Sequence, residues 1–344
     1  MPLTLTTAAD DDGRRLDRIL RKALRNLPLS AIHRFLRQGA VLVDGKKADA
    51  DYRVKSGQII IITGIDNNDL LQNSTHIDTE LQKTQSKIIK SNLSFLSPMP
   101  LCEKKLTDII IFEGAGLLIL NKPEGVSVHG RDSLENHVLS YLGPKLPPSL
   151  SFRPGPLHRL DKPSSGIITY STNLEGARFF SALLRERKIT KQYLVILEGV
   201  LKNDEVWQDE LSRDHEKKKT FTSDEKRKFV RSIGQSAQTK IALTKVTPLA
   251  SNSVCTLILA EIETGRTHQI RAQAAAHGHP LLGDRKYGGK PLGDIKKIDN
   301  YGFLLHAWRM EFPETTVLPQ LIEAPLPERF RLKIRELFGE WGSG

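Results

Sequence analysis

The sequence has few of the features that mark secreted, membrane-spanning or metal-binding proteins. Its 344 residues include only two cysteines, Cys102 and Cys255, which cannot build a disulfide framework and are expected to be reduced thiols. The longest apolar runs, such as Ile59–Ile62 and Leu117–Leu120, are strand-sized and much shorter than the ~20 residues of a membrane-spanning helix. No apolar stretch follows a positive flank at the start, so we expect no signal peptide and a cytoplasmic location. Because no apolar run is long enough to span a bilayer, we expect no membrane-spanning segment.

Motifs for metals, nucleotide cofactors and repeats are also missing. His268, His277, His279 and His306 lack the Cys-x-x-Cys or His-Glu-x-x-His spacing of zinc sites, so we predict no metal. No Gly-x-Gly-x-x-Gly or Walker sequence opens a helix after a strand, which leaves nucleotide-cofactor folds without support. No period of roughly 20–50 residues repeats, which argues against solenoids and propellers.

Positive charge, by contrast, is in excess. Lys and Arg number 51 against 40 Asp and Glu, giving a net charge of +11. Such an excess favours a polyanionic partner, either nucleic acid or an anionic membrane surface, through counterion release. The length predicts about two domains, and a hydrophobic content of 39% is enough to build packed cores.

The N-terminal segment from residue 13 to residue 64 predicts a small α/β module. Leu16 to Leu24 carry apolar side chains at helical spacing, and Ser30 is predicted to cap a second helix after Pro28. Asp44-Gly45 predicts a tight turn between short strands, and Ile59–Ile62 predicts a closing strand.

Basic residues cover the outer faces of these two predicted helices, with Asp17 as the only acid among them. A solvated helical face would explain one such helix, whereas two neighbouring basic helices favour a phosphate-binding surface. The residues predicted to contact RNA are Arg18, Lys22, Arg34 and Arg37.

Residues 65–105 are rich in polar side chains and predict a flexible linker, with a transient helix near residues 80–89. Residues 106–340 predict a second, α+β domain. The predicted strands are 109–112, 117–121, 167–170, 192–198, 242–247, 255–262 and 304–312, and the predicted helices are 133–142 and 174–187.

The densest cluster of reactive side chains is His158-Arg159-Leu160-Asp161, followed by Ser165-Gly166 on a loop before a predicted strand. An aspartate among cationic neighbours is expected to stay ionised at neutral pH, where it can act as nucleophile or general base. An aspartate that only caps a turn and pairs with an arginine is the competing interpretation.

Thr264 to Arg271 form a second cluster, in which Arg266 and Arg271 enclose His268 and Gln269 just after a strand. Two arginines so placed can hold phosphates or a carboxylate, although a solvated helix start would show the same pattern.

A third feature is the segment from Arg213 to Arg231, where lysines and arginines surround Phe221 and Phe229. Basic residues interleaved with aromatics suit a mobile nucleic-acid contact loop, and an ordinary exposed insertion is the alternative.

Together these segments resemble the RluA-type pseudouridine synthases with an N-terminal S4 RNA-binding domain. The resemblance rests on His158–Asp161 with Ser165-Gly166, on Lys191-Gln192-Tyr193 and on Thr264–Arg271, in that order. Asn121-Lys122-Pro123 and the segment from Leu29 to Arg37 look most like the RluC branch, which modifies large-subunit ribosomal RNA. Ser164, where the family usually has Thr, and Phe312-Pro313-Glu314 depart from the pattern.

The resemblance implies an isomerase whose catalytic residues are Asp161, Tyr193 and Arg271. It implies a mostly antiparallel mixed sheet with a catalytic cleft, plus a small α/β S4 module, and it implies RNA as partner, no cofactor and a monomer. Arg159 would help to fill the space left by the target base, Tyr193 would stack on that base, and Arg271 would orient Asp161. The substrate-binding residues predicted with them are His158, Arg159, Arg266, His268 and Gln269.

Three alternatives remain open at this point. The target RNA could be transfer RNA, or the chain could be a non-catalytic RNA-binding factor in ribosome assembly. An N-glycosidase is the third, but a retaining one needs a second carboxylate about 5 Å from the first, and Asp284 is a poor candidate.

Overall fold

The computed structural model describes residues 2–24, 27–65, 105–146, 149–214, 219–222, 239–291, 302–314 and 317–340. The chain forms two compact units. The first comprises residues 1–98, 142–154 and 173–175, and the second comprises the remaining residues from 99 onward. Within the described part, no helix is long and apolar enough to cross a membrane.

The first unit is built on a four-stranded antiparallel sheet with two helices. Its elements are β1 (Leu3–Thr6), α1 (Leu16–Ala23), α2 (Leu29–Arg37), β2 (Val41–Val43), β3 (Lys46–Lys47) and β4 (Ile59–Ile62), with strand order β1-β4-β2-β3. Leu16, Ile19 and Leu20 on α1 are buried against Ile32 of α2 and Ile60 of β4. The apolar spacing seen in the sequence therefore produces this core.

Two details of this unit differ from the sequence-based expectation. Strand β1 pairs with β4 although it precedes residue 13, where the sequence pattern predicts the start of the module. The prediction that Ser30 caps α2 is wrong, because the helix begins at Leu29 and Pro28 is its N-cap. The φ of Pro28, −64°, suits this position, and its missing N–H would have no partner there.

Asp11 ties the segment around residue 150 into the first unit. Its buried carboxylate accepts hydrogen bonds from the backbone N–H groups of Leu150 (3.1 Å) and Ser151 (2.9 Å), and from both side-chain hydroxyls of Ser149 and Ser151. Burial alone would raise the pKa of Asp11, but these hydrogen bonds together with the one from Ala8 N–H lower it below its ordinary value. The carboxylate form is thus the one that holds this segment.

The second unit is built on an 11-stranded mixed sheet. Its strands are β5 (Ile110–Gly114), β6 (Leu117–Lys122), β7 (Gly155–Pro156), β8 (Ser165–Ser171), β9 (Thr190–Glu198), β10 (Glu205–Asp214), β11 (Lys219–Thr222), β12 (Lys240–Ser251), β13 (Cys255–Ile262), β14 (Leu305–Glu311) and β15 (Leu321–Glu323). Its helices are α3 (Leu134–Leu142), α4 (Leu174–Arg185), α5 (Gln269–Ala276) and α6 (Glu328–Phe338), of which α3 and α4 also contribute residues to the first unit.

The main path of this sheet runs β11-β10-β12-β13-β9-β14-β8-β6-β5. Strands β8 and β14 pair in parallel, and every other pairing among the described strands is antiparallel. Helix α6 packs Phe330 and Ile334 against β9, β13 and β14, while α5 packs Ala272 near β10 and β12. The mostly antiparallel α+β fold is therefore confirmed.

All the predicted strands and helices of this unit are present, with ends shifted by a few residues. Strands β7, β10, β11 and β15 and helix α6 are absent from the sequence-based prediction. Strand β7 is only two residues long, and charged side chains interrupt the apolar positions of the others. Helix α5 shares its sequence pattern with a solvated helix start, yet six of its residues are buried. The linker, its predicted transient helix and most of the basic segment 213–231 lie outside the described residues.

Gly166 lets β8 lie against β14 at the end of the loop that carries Asp161. Its φ is +104°, and a Cβ atom there would come within 2.2 Å of the Ala307 carbonyl oxygen. The adjacent Ser165 hydroxyl bonds to Nδ1 of the buried His306 at 2.8 Å, whose Nε2 donates to the Ala324 carbonyl. The close approach at Gly166 thus permits the parallel pairing beside the site.

We expect Gly166→Ala to lower the free energy of unfolding by about 3 kcal/mol or more, because a methyl group meets rigid backbone at a positive φ. Gly265→Ala is the matched control, because no atom lies within 4 Å of the Cβ position there. Urea unfolding of both variants measures the difference. Equal stability of the two variants would contradict this account of the β8–β14 contact.

Candidate active site

Asp161 lies on the loop that enters the fully buried strand β8. The Ser164 N–H donates to the Asp161 carbonyl at 3.1 Å, and the Gly125 N–H donates to the Lys162 carbonyl at 2.9 Å. The loop is therefore held by two backbone hydrogen bonds, which restrict where the Asp161 carboxylate can point.

The buried side chain of Lys122 also holds this loop. Its side chain is fully buried, and the ammonium donates to three carbonyls, those of Pro123 (2.9 Å), Val126 (2.8 Å) and Lys162 (3.2 Å). Burial lowers the pKa of Lys122 to about 7, although the negative charges of Asp161 and Glu124 oppose the shift. Such a lysine crosslinks two loops instead of contacting a ligand.

Arg271 bridges two carboxylates. Its Nη1 donates to Asp161 Oδ2 at 2.7 Å, while Nε and Nη2 donate to the two oxygens of Asp284 at 2.6 and 2.9 Å. The bidentate pair, which is the geometrically most specific one, is thus formed with Asp284 and not with Asp161. Arg271 and Asp284 are both buried.

Two aromatic rings enclose this guanidinium. Its carbon lies 4.2 Å from the Phe303 ring centroid and 4.9 Å from that of Tyr287. Burial alone would lower the pKa of Arg271, but Asp284 and then Asp161 raise it above its ordinary value. The charge on Arg271 is therefore permanent, and its position is restrained by both carboxylates and both rings.

His268 is neutral and faces Asp161. It adopts a left-handed conformation with φ +55°, which places its Nε2 3.8 Å from Asp161 Oδ1. Nδ1 of His268 lies 2.8 Å from the Tyr287 hydroxyl, within hydrogen-bond distance, and the same hydroxyl accepts the Thr220 N–H. Burial lowers the pKa of His268 to about 4; the Asp161 charge opposes this shift and the Arg271 charge adds to it.

These groups open onto a cavity of about 360 Å³. The residues that line it are Ser127, Val128, His129, Arg159, Leu160, Asp161, Lys162, Pro163, His268 and Arg271. The exposed Arg159 thus lies beside Asp161 in the cleft, as its predicted role requires.

Tyr193 and His158 lie deeper than expected. Tyr193 is buried on β9, where burial and then the charge of Asp161 raise the pKa of its hydroxyl. His158 points away from the cleft, with its Nε2 accepting the Thr169 N–H at 3.0 Å and its ring stacked on Phe180. Burial lowers the pKa of His158 to about 3. Its contacts with Thr169 and Phe180 support the loop, and its predicted role in substrate binding stays a prediction.

Gln269 and Arg266 also differ from their predicted roles. Gln269 is buried, and its amide bonds to the Leu243 carbonyl, to the hydroxyls of Thr244 and Thr264, and to the Arg266 N–H. Arg266 is exposed, donates to the Ile241 carbonyl at 3.3 Å and is not among the residues that line the cavity. Gln269 therefore holds the turn before α5, which positions Arg271.

The four basic residues predicted to contact RNA lie on the two helices of the first unit. Arg18 and Lys22 are on α1, and Arg34 and Arg37 are on α2. All four lie at the surface, although Lys22 donates to the Ser151 carbonyl at 2.8 Å. A second cavity of about 360 Å³ is lined by Arg37 together with Arg15, His33, Leu36, Asp49, Ala50 and Asp51.

In the described part of the chain, no group of three His, Cys, Asp or Glu side chains could hold a metal ion. Cys255 is buried, and burial raises the pKa of its thiol.

Sequence reasoning does not identify Asp284 and Lys122 as parts of the site. In the sequence Asp284 is only a poor second carboxylate, and Lys122 is only part of a family-like segment. Both side chains are ionisable and buried, and this burial is what marks them as parts of the site. The sequence does not show that they are buried, because Pro123 follows Lys122 and Gly283 precedes Asp284, and glycine and proline usually indicate exposed turns.

Two family models match separate parts of the chain. The model described as RNA pseudouridylate synthase matches residues 116–276, and the S4 domain model matches residues 14–60. The first range contains Asp161, Tyr193 and Arg271, and the second contains α1 and α2.

Curated relatives match nearly the whole chain. It is 30% identical over 325 residues to the ribosomal large subunit pseudouridine synthase C of Buchnera aphidicola subsp. Schizaphis graminum (strain Sg), covering 93% of this chain and 92% of that protein. It is 28% identical over 338 residues to the protein of the same name from Escherichia coli (strain K12), covering 96% and 94%. A solved structure, human RNA pseudouridylate synthase domain containing 4, matches with a TM-score of 0.53 at 22% identity, covering 69% of this chain and 96% of that one, which shows a shared fold.

We expect Asp284→Asn to lower the free energy of unfolding by about 3 kcal/mol, because the buried Arg271 would keep only one carboxylate partner. Asp204→Asn, at an exposed aspartate in the loop before β10, is the control and should leave stability within about 0.5 kcal/mol. Denaturant unfolding at one pH compares the two. If Asp284→Asn is as stable as the wild type, the bidentate pair does not hold Arg271.

Proposed function

Because the chain belongs to the RNA pseudouridine synthase family, we propose that it isomerises specific uridines of large-subunit ribosomal RNA to pseudouridine, with Asp161 as catalytic residue. The observation that carries the proposal is the Asp161 carboxylate, held by Arg271 at 2.7 Å on the wall of an open cavity.

The reaction breaks the bond between N1 of uracil and C1′ of ribose, rotates the base and joins C5 to C1′. C5 loses a proton and N1 gains one, so the rearrangement involves no net oxidation, hydrolysis or phosphoryl transfer. A carboxylate can promote it by attacking the base or the sugar, or by removing a ribose proton. The target base must first leave the RNA stack, at a cost of a few kcal/mol.

The residues divide this work as follows. Asp161 contacts the reacting nucleotide, and Arg271 orients that carboxylate and balances its charge. Arg159, on the cavity wall, fills the space that the base leaves in the RNA. Tyr193 is buried and does not line the cavity, but the charge of Asp161 acts on its hydroxyl, and it is the residue proposed to stack on the base. Asp284 is a positioning residue, because it acts through Arg271.

The names of the relatives support large-subunit ribosomal RNA as the substrate, and an S4 domain supports RNA contact by α1 and α2. We also propose a cytoplasmic location, since the relatives are named for ribosomal RNA as substrate, and we propose that the protein acts as a monomer. The proposed domains are residues 13–64 for RNA binding and 106–340 for catalysis, joined by 65–105. Transfer RNA is the second candidate substrate.

The glycosidase alternative is disfavoured by the position of the second carboxylate. Both oxygens of Asp284 are bonded to Arg271, which also holds Asp161, so Asp284 is not placed to act on the opposite side of a sugar. A non-catalytic binding factor would have no need for the arrangement of Asp161, Arg271 and His268 around an open cavity.

We expect Asp161→Asn to abolish conversion while leaving RNA affinity within a few-fold, because the amide keeps the size of the carboxylate but loses its charge and nucleophilicity. The measurement is site-resolved pseudouridine mapping of total RNA from a deletion strain rescued by wild type or by Asp161→Asn. Sites in large-subunit RNA should return with the wild type alone. An active Asp161→Asn would refute the mechanism, loss confined to transfer RNA would change the substrate, and unchanged maps would favour the binding factor.

We expect Arg34→Gln and Arg37→Gln to weaken RNA binding and to lower the slope of log affinity against log salt by about one unit for each phosphate that is no longer bound. Both side chains are exposed on α2. Fluorescence anisotropy with a ribosomal RNA fragment over a range of salt concentrations measures the slope. An unchanged slope would show that this face of α2 does not bind RNA.

A further inference from the structure

We propose that Lys219 and Lys286 form a binding site for a phosphate of the RNA backbone next to the target uridine. The inference rests on the proposed function and assigns a role to the part of the basic segment that the structure describes. It goes beyond the residues of the cavity itself, since neither lysine is among those that line it.

Strand β11 is anchored to the active site by Thr220. The Thr220 N–H donates to the Tyr287 hydroxyl at 2.9 Å, and its side-chain hydroxyl donates to the Thr267 carbonyl, also at 2.9 Å. Tyr287 in turn bonds to His268, which faces Asp161. The backbone next to Lys219 is therefore held by Tyr287 and Thr267, both of which adjoin the cavity residue His268, one through a hydrogen bond and one along the chain.

The Lys219 ammonium is held between two rings. It lies 4.9 Å from the ring centroid of Tyr287 and 5.0 Å from that of Phe221. Among the side chains that the structure describes, which do not include that of Asp214 on the neighbouring strand, no carboxylate lies within ion-pair distance of it. Cation–π contacts restrain an ammonium without neutralising it, so its full charge remains available to an anion.

Lys286 adds a second positive charge on the same side. It is exposed, and it directly precedes Tyr287 in the chain. Burial and the charge of Arg271 lower the pKa of Lys286; Lys219 adds to the shift, while Asp161 and Asp284 oppose it. The Lys219 ammonium lies 4.9 Å from the Tyr287 ring and Lys286 is the residue before Tyr287, so Tyr287 brings the two positive charges to one region of the second unit.

The anion that fits is a phosphate of the substrate strand. Asp161 and Asp284 are both bonded to Arg271, so neither of them is the anion that this site would bind. A uridine turned out of its stack into the cavity brings its flanking phosphates to the cavity rim, where Tyr287 and His268 connect the lysines to Asp161.

The test uses the full-length protein and a ribosomal RNA fragment that contains a mapped target uridine. Lys219→Gln and Lys286→Gln should each weaken binding several-fold and lower the salt slope by about 0.7–0.9 units. Their effect on KM should exceed that on kcat. The matched control is Lys202→Gln, an exposed lysine on the loop between β9 and β10, which should behave as the wild type.

A second arm locates the phosphate. Single methylphosphonates, which are neutral, replace one backbone phosphate at a time near the target uridine. At one position the neutral linkage should weaken wild-type binding and remove the difference between wild type and Lys219→Gln, since the charge that Lys219 binds is then absent. Additive effects of linkage and variant at every position would overturn the site.

Lys219→Arg and thermal unfolding of each variant separate loss of the phosphate contact from damage to the fold. Arginine keeps the charge and the ring contacts, so it should restore affinity and salt slope. If it does not, or if both glutamine variants match Lys202→Gln, the inference is wrong. Binding needs no turnover, so a wild type that binds RNA but forms no pseudouridine would refute the proposed function while leaving this test intact.

Discussion

The rest of the site depends on the hydrogen bonds that the Arg271 guanidinium donates to Asp161 and Asp284. Three of its nitrogens hold two carboxylates, and two aromatic rings cover it. A single buried cation would be costly, and a pair with Asp161 alone would lack the two hydrogen bonds that Nε and Nη2 donate to Asp284. Asp284 completes the set, so that Asp161 meets a rigid partner and can remain at the cavity wall.

The fold delivers these groups from distant parts of the chain. Asp161 and Arg271 are 110 residues apart and meet because β8 and α5 belong to one unit. The Asp161 loop is fixed by the carbonyls that Lys122 binds and by the close β8–β14 approach at Gly166. The Asp161 loop is short and is held by rigid strands and long-range contacts, so the carboxylate has little freedom to move.

The charged residues of the two units differ in burial. Chemistry in the second unit depends on buried charge, where each group has a defined partner and His268 stays neutral. The first unit offers exposed arginines on α1 and α2, which suit a long polyanion bound through many weak, salt-sensitive contacts.

The sequence by itself determined most strands and helices through apolar periodicity, which is a local signal. Its short motifs marked Asp161 and Arg271 as candidates, and the family resemblance that these motifs carry implied the fold class. Only the tertiary structure decided what each polar side chain contacts. His158 and Gln269 belong to the same motifs as Asp161 and Arg271, yet they are turned inward to support loops. Asp284 and Lys122 enter the site through burial and hydrogen bonding, which depend on residues far away in the chain and leave no mark in the local pattern.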